Sequence, residues 1–585
     1  MRLTRAGIAL LIFLLIACPV LSVASYAALS GSDIGPFQFG GDSDATETPR
    51  GQGIALPTAT NVGGGTRTGT GTATQRAAAA SPSPTRDLGV VPLPASAVPS
   101  AAPSSGAAPA ATATRAAASN VPAMSLSVAY DAYAPYLPVR IAEEEGYYRA
   151  RNLAVQQIPF GLGGNDYNEE QRRAALRDGK FDVLLTTLDA VALFGNEQTG
   201  KVVAIVDESA GADKIVARAP IQRLNDLRGK RITYSAGSVG EFYLYATLNL
   251  VGLKASDVQL VPAESVEEAV EKYRANQADA VVAWEPNVQE ALAAPNSKLL
   301  LGTDNYRAVL DVIVVSTKAL AEKPAAVQAF MDAWFEALKL TTDEPERAGE
   351  ALVAAGDTDW TGVETSEDFT EALGLVAQAT LGQNAFALRD ASLLGGRLRE
   401  AQNVWRANGK NVGEVDPTRL IDGSFVQKSS GQGTLGSARP PVNPTFVLTS
   451  AIRLPQLTPE QIGQTTAVAE LPLKQIAFEP NSAVLSEQGR NDLLTQVVPV
   501  LKQTPGLYLR IDGGAAQPIT DTEADNRAFA HERAQAVIFF LLGQGIDQNR
   551  LIEGYVPPQF PRSQNEAELQ QDRRVVFTLV QPGGR

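Results

Sequence analysis

The chain has a single cysteine, Cys18, and a single histidine, His531, in 585 residues. Zinc clusters, iron–sulfur sites and Cys–His nucleophilic pairs all need more than that, so none can be assembled within one copy and no disulfide can close inside it. No metal or cofactor is expected. Positive charge is also in deficit, with a formal net charge of −14. Nucleic-acid affinity comes mostly from Lys and Arg neutralising phosphates, so no nucleic-acid partner is expected. Large apolar side chains are scarce over one long stretch, 30–122, where Gly, Thr, Ala, Ser and Pro dominate in runs such as G-G-G-T-R-T-G-T-G-T. Such a segment cannot bury enough surface to offset its ordering entropy. It reads as a low-complexity linker with a root-mean-square span on the order of 50 Å.

Residues 1–29 carry an export pattern. Arg2 and Arg5 precede a nearly unbroken apolar run from Ile8 to Val23, with small residues through Ala28. The chain is therefore expected to leave the cytoplasm. Three outcomes stay open. The run is an uncleaved signal anchor approaching the ~20 residues that span a bilayer, or a signal peptide cut after V-A-S-Y-A, or a leader ending at a lipidated Cys18 in its L-I-A-C setting. The first and third attach the chain to a membrane through its N-terminus; the second releases a periplasmic or secreted protein.

From 124 to about 412 the pattern is α/β. Apolar strand-like pieces at 126–130, 154–158, 181–185, 215–217, 231–234, 280–283 and 311–316 alternate with helical runs at 139–147 and 169–177. Several strands end in small or polar residues, as expected where an open α/β sheet binds ligand beyond its strand carboxyl ends. Trp334 and Trp405 are expected to fill the core. A second linker over 413–445 leads to a smaller α+β region, 446–585, whose core at 471–580 reads β-α-β-α-β with a helix at 526–542. The two regions read as separate domains on one string.

The ordered succession A-Y-A-P-Y with A-E-E-E-G-Y-Y, L-R-D-G-K-F-D-V, S-A-G-A-D-K-I-V-A, D-L-R-G-K, G-S-V-G-E-F and A-D-A-V-V-A-W-E-P covers nearly all of 124–412. It resembles the extracytoplasmic solute-binding proteins of the nitrate, aliphatic sulfonate, taurine and thiamine-precursor transport group. The resemblance implies a two-lobed periplasmic-binding-protein fold closing on a small solute, with an ABC-type permease as partner. An enzyme that shares this fold group consumes its own histidine and needs a cysteine-rich motif. Residues 124–412 hold neither His nor Cys, so no enzymatic activity is expected.

The residues themselves suggest roles in such a cleft. Thr186 and Thr187 end a strand before a helix, and Gly237 and Ser238 lie in a turn before another, so hydroxyls and backbone N–H groups at either place suit an anionic oxygen. The alternative is that these residues are simply N-caps. Tyr133 and Tyr136 can wall a ligand in the first strand-to-helix loop, and Trp284 with Glu285 take the matching place in the other lobe. Glu285 instead forms a hinge salt bridge on a second reading, and Ser209 with Asp213 are either ligand contacts or bonds across the cleft. Helix ends favour an anion and Glu285 an amine, so the expected solute is anionic or zwitterionic with its charge left open.

Residues 471–580 resemble the OmpA-like peptidoglycan-binding domain through I-A-F-E-P-N-S-A-V-L, L-R-I-D-G-G, N-R-A-F-A-H-E-R-A-Q-A-V and D-R-R-V-V-F. The resemblance implies that Asn526 and Arg533 serve a wall-peptide site, with Arg533 gripping a carboxylate. Where the family has an Asp for the ligand's amine, this chain has Ala516. Asp512, Asp521 beside Thr520, or Asp525 are the candidate substitutes. Arg533 paired with Asp525 or Glu532 is the structural alternative, and His531 reads as a solvated or capping residue. The whole is expected to bind a small solute outside the cytoplasm while tethered to the envelope. The second expectation is an envelope linker or sensor whose cleft is regulatory or degenerate.

Overall fold

The computed structural model describes residues 124–583, apart from 163–166, 195–198, 414–415, 444, 447, 449–452, 474, 480–481 and 517–521. The export pattern, Cys18, the 30–122 linker and Thr520–Asp521 lie outside the described residues. Among those described, no helix is long and apolar enough to cross a membrane.

Two sheets form the first region. The strands are β1 Met124–Tyr130, β2 Leu153–Pro159, β3 Val183–Thr187, β4 Gly200–Ser209, β5 Asp213–Arg218, β6 Arg231–Ser235, β7 Gln259–Ala263, β8 Ala280–Trp284, β9 Ser297–Gly302, β10 Leu310–Ser316 and β11 Val376–Gln378. Lobe 1 is a six-stranded sheet of order β11-β4-β10-β3-β1-β2, and lobe 2 a five-stranded sheet of order β7-β6-β8-β5-β9. The chain crosses between them twice, through 210–212 and 303–309. The fold is therefore a mixed α/β structure, as the alternating pattern implied, in two lobes, as the resemblance implied. Most strands are continuous apolar runs because helices cover both faces; β10, L-D-V-I-V-V-S, is buried at every position. The expected helix over 139–147 breaks at Gly146, which takes a left-handed φ of 74°.

Four helices pack against these sheets near the crossovers and the chain ends: α1 Leu188–Ala192, α2 Val239–Leu250, α3 Pro324–Asp343 and α4 Ser392–Ala407. Trp334 on α3 and Trp405 on α4 are both fully buried, as expected. Part of the expected second linker is structured. Helix α5, Ser424–Ser430, buries Phe425, Val426 and Ser429, with the Ser429 hydroxyl donating to Asp332 Oδ1 on α3 at 2.5 Å. Its apolar pair Phe425–Val426 is flanked by Gly, Ser and Gln, so composition read as loop while two side chains sufficed to anchor a short helix.

The last region is a four-stranded sheet of order β12-β15-β13-β14, formed by β12 Thr466–Glu470, β13 Tyr508–Gly513, β14 Leu551–Tyr555 and β15 Val575–Gln581. Strands β13 and β14 run parallel, joined by helix α6, Glu523–Gly543. The first strand, β12, lies just upstream of the expected core. This domain does not hang free. Asn225 of lobe 2 exchanges two hydrogen bonds with the Glu470 backbone, at 2.9 and 2.8 Å, and the Arg307 N–H in the second crossover donates to Gln503 O at 2.8 Å. At Gly506 a Cβ would lie 2.7 Å from Asp304 O, so only glycine permits this approach of backbone to the crossover.

Candidate functional site

The carboxyl ends of β3 and β4, the start of β10 and the short, antiparallel β11 meet where the chain leaves lobe 1. Register pairs Asp311 with Thr187 on β3 and with Asp207 on β4, and Asp207 with Gln378 on β11. Cross-strand partners project from the same face of a sheet, so Thr187, Asp311, Asp207 and Gln378 form a polar row across four strands. Over that face lie the two tyrosines of the first strand-to-helix loop. Tyr133 donates its hydroxyl to Asp207 Oδ1 at 3.4 Å and Tyr136 donates to Asp311 Oδ1, with the rings edge to face at 5.1 Å. Glu208 points to the opposite face, where Arg397 reaches its Oε1 at 3.3 Å.

Beside the row, the Ser209 hydroxyl donates to Asp213 Oδ2 at 2.7 Å and shares a 2.8 Å hydrogen bond with Thr303. Ser209 and Asp213 are thus bonded to each other across the first crossover, which is the second of their two expected roles. Thr186 is buried within β3, and the Thr187 hydroxyl is shared with Asp189.

Burial pushes all four acids of this region up. Asp207 and Asp311 stand well above the usual carboxylate range, first through burial and then through neighbouring acids, with the Tyr136 hydrogen bond opposing the rise at Asp311. Asp189 is pushed up to about 7 and Asp213 to about 6, again by burial first. The cations nearby are engaged elsewhere: Arg172 grips Asp131 with two bonds of 2.7 and 2.8 Å, Lys214 pairs with Glu285, and Arg397 with Glu208.

At the Gly237–Ser238 helix end, one of the two expected for an anion, the backbone N–H groups bond to the chain's own residues. Gly237, at a left-handed φ of 77°, donates its N–H to Glu241 Oε2 at 2.7 Å, and Ser238 Oγ accepts from the Gly240 N–H at 3.1 Å. Lys410 Nζ lies 2.7 Å from Glu241 Oε1. Ser238 is an N-cap, the plainer of its two readings. Glu285 likewise takes its salt-bridge role, with Lys214, and also accepts from Gln289 at 2.8 Å. Trp284, half-buried, sits opposite Asp213 in register. Of the residues expected to touch a ligand, Tyr133, Tyr136 and Thr187 lie at this row, while Asp207, Asp311 and Gln378, which complete it, were not among them. Acidic or amide residues at the ends of apolar strands were the available signal.

In the last domain Asn526 and Arg533 come together at one end of α6. Asn526 Nδ2 donates to Ala515 O at 2.6 Å, and Arg533 Nη1 donates to Gly514 O at 3.2 Å. The Arg533 guanidinium lies over Phe529 and Phe478, 4.5 and 5.1 Å from their ring centres, and its Nε has no hydrogen-bond partner among the described residues. Asp525, one of its two expected partners, instead closes the α6 capping box with Thr522, because it stands three residues after the N-cap. Burial, then Arg573, lowers Arg533 to about 10. Ala516 is half-buried, Asp512 pairs with Arg510 at 2.9 Å, and His531 pairs with Glu553 on the exposed side.

Comparison with known proteins bears on the lobes. A candidate binding protein of Brucella abortus is 25% identical over 157 residues, 26% of this chain and 48% of that protein. The chain thus spans about half the length of the curated relatives it matches. The aliphatic sulphonate binding protein of Escherichia coli superposes with a TM-score of 0.41 at 17% identity, covering 52% of this chain and 99% of that one. The nitrate-binding protein of Synechocystis PCC 6803 gives 0.41 at 12% identity, covering 55% and 92%. Within the two-lobed region, residues 135–348 match the family described as NMT1/THI5 like.

Proposed function

We propose that the two lobes bind a small solute outside the cytoplasm and deliver it to an ABC-type import system, without catalysing a reaction. The observation that carries this reading is the polar row at the strand ends, beside the crossovers that join the lobes and beneath two tyrosine hydroxyls. Ligand sites in open α/β sheets form at such places. Calorimetric titration of the full chain with sulfonates, nitrate, phosphate, taurine, pyrimidines and organic amines tests it. At least one class is expected to bind and to raise the melting temperature, and Tyr133→Phe is expected to weaken that ligand severalfold. A panel that leaves the parent unmoved rejects the reading.

For residues 446–585 we propose an OmpA-like domain that holds the lobes near the cell wall. The sheet order, with the parallel β13–β14 pair joined by α6, supports it. So does a buried Arg533 facing no carboxylate of its own among the described residues. A ligand carboxylate gripped there would gain a charge-assisted bond, and losing such a bond costs ~10- to 100-fold in affinity. Arg533→Ala is therefore expected to cut retention on muropeptides by that order, and equal retention removes Arg533 from the site. Docking of this domain on both lobe 2 and the second crossover favours a second, sensory reading, in which wall attachment and lobe geometry are coupled. Uptake that persists after loss of solute binding would select it.

A further inference from the structure

The sign of the solute's charge is not given by the fold, but it can be drawn from what the polar row leaves unsatisfied. Asp207 is fully buried, and among the described residues its Oδ2 has no hydrogen-bond partner. Gln378, its register partner, is also buried, and among the same residues neither its Oε1 nor its Nε2 is partnered. Asp189 Oδ1, beyond Thr187, is buried and finds no partner among them either. Buried polar atoms are nearly always satisfied in a folded protein, so several open acceptors on one face are an exception that needs a cause. Loop geometry does not supply one, because the row lies on four strands whose register fixes where its side chains project.

The face is one-sided in charge. Asp207, Asp311, Asp213 and Asp189 influence one another there, while Lys214 only partly offsets Asp213. Among the described residues none of these four carboxyls joins an ion pair; their partners are the hydroxyls of Tyr133, Tyr136, Ser209 and Thr187. An anion brought to this face would oppose ionisation of these carboxyls and gain nothing from them, whereas a cation would favour their charged form. A cation would replace the missing counter-charge and fill the open acceptors. The open acceptors on Asp207 and Gln378 suit the N–H donors of a nitrogenous cation, and the open Gln378 Nε2 can donate to a neutral acceptor elsewhere on the same solute.

We propose that the row of Thr187, Asp311, Asp207 and Gln378 recognises the positively charged nitrogen of an organic ammonium or amidinium solute. This rests on the reading of the lobes as a solute-binding unit and adds the ligand's chemical class. Tyr133 and Tyr136 serve as positioning residues: each hydroxyl holds one oxygen of a carboxyl, and at Asp207 the other oxygen stays open among the described residues.

Matched probes test charge at nearly constant size. The full chain is titrated at pH 7.5 with ethanolammonium, its anionic counterpart isethionate and the zwitterion taurine, and then with agmatine and spermidine as larger cations. Binding and thermal stabilisation by at least one cation, with no response to isethionate, is the expected result. Asp207→Asn and Asp311→Asn should each weaken that cation at least tenfold, and Asp178→Asn at an exposed position should leave it unchanged. Stabilisation by isethionate or taurine without any cation overturns the proposal and leaves the solute-binding reading intact. Failure of every cation overturns it too, and if the sulfonates, nitrate, phosphate and pyrimidines also fail, the solute-binding reading falls with it. Cation binding unaffected by both Asn variants would place the ligand elsewhere and overturn the assignment to this row.

Discussion

Ligand-free chain carrying Asp207→Asn together with Asp311→Asn is expected to melt several degrees above the parent at pH 7.5, with the gap narrowing as pH falls toward 5. The two carboxyls are register partners on adjacent buried strands, and Asp311 lifts Asp207 on top of the effect of burial. A carboxyl whose folded pKa is raised contributes its full stability below the unfolded value of ~3.9, and that contribution is lost as pH rises toward the folded value. The neighbours set the scale. Asp213 and Asp189 are pushed to about 6 and about 7. Asp207 and Asp311 are displaced in the same direction, so each forfeits stability as pH rises from ~3.9 toward neutrality. Asparagine keeps an acceptor for the Tyr133 or Tyr136 hydroxyl and removes the charge, so the variant escapes this loss. Carboxyls shifted the other way are common to both proteins and cancel; Asp343 is one, where burial is outweighed by bonds from Lys339, Ser437 and nearby backbone that hold it at about 2. Thermal melts of parent and double variant at both pH values decide it, and a variant that melts below the parent at pH 7.5 contradicts the account. The same carboxylates that weaken the ligand-free lobes are those proposed to hold a cation, a stability cost placed at a functional site.

The strands were readable because they are buried on both faces and so appear as apolar runs, and their starts and ends fall within two residues of the expected positions at β1, β6, β8 and β10. The site was legible only where chemistry and loop position coincide, as at Tyr133 and Tyr136. Ser238, Glu285 and the Ser209–Asp213 pair each carried two readings, and each has a local partner in the structure. Glu285 has Lys214 within reach and Ser238 has the Gly240 N–H, and local sequence cannot exclude such partners. Asp207 and Asp311 escaped notice for a different reason. They are distant in the chain, and only the antiparallel pairing of β10 with β4, after an entire second lobe has intervened, makes them neighbours. Docking of the last domain was likewise hidden. Its contacts include the Glu470 and Gln503 backbone, a glycine at 506 and Pro472 against Gly252, positions that no local sequence pattern brings together.

Trp405→Ala is expected to destabilise the two-lobed region by ~3–5 kcal/mol, the range for removing a buried tryptophan, and to loosen one lobe from the other. Its ring packs on Phe242 and Tyr245 of α2 in lobe 2, at 5.6 and 5.9 Å between centroids. Its indole Nε1 donates to Asp189 O on α1 in lobe 1 at 2.9 Å. One fully buried side chain thus ties both lobes through α4, on the side where α1 and α2 begin. Separating the lobes must break either the ring contacts or the hydrogen bond, so Trp405 biases the molecule toward the arrangement in which the row and its tyrosines are enclosed. Trp405→Phe separates the two contributions. It keeps an aromatic surface for Phe242 and Tyr245 but leaves Asp189 O without this donor, a loss of ~1–3 kcal/mol. Denaturant melts are expected to rank parent above Phe above Ala, and small-angle scattering of the ligand-free Ala variant to show a larger radius of gyration than the parent. If Ala lowers stability with no change in radius, Trp405 is a core filler alone and the brace between the lobes lies in the crossovers at 210–212 and 303–309.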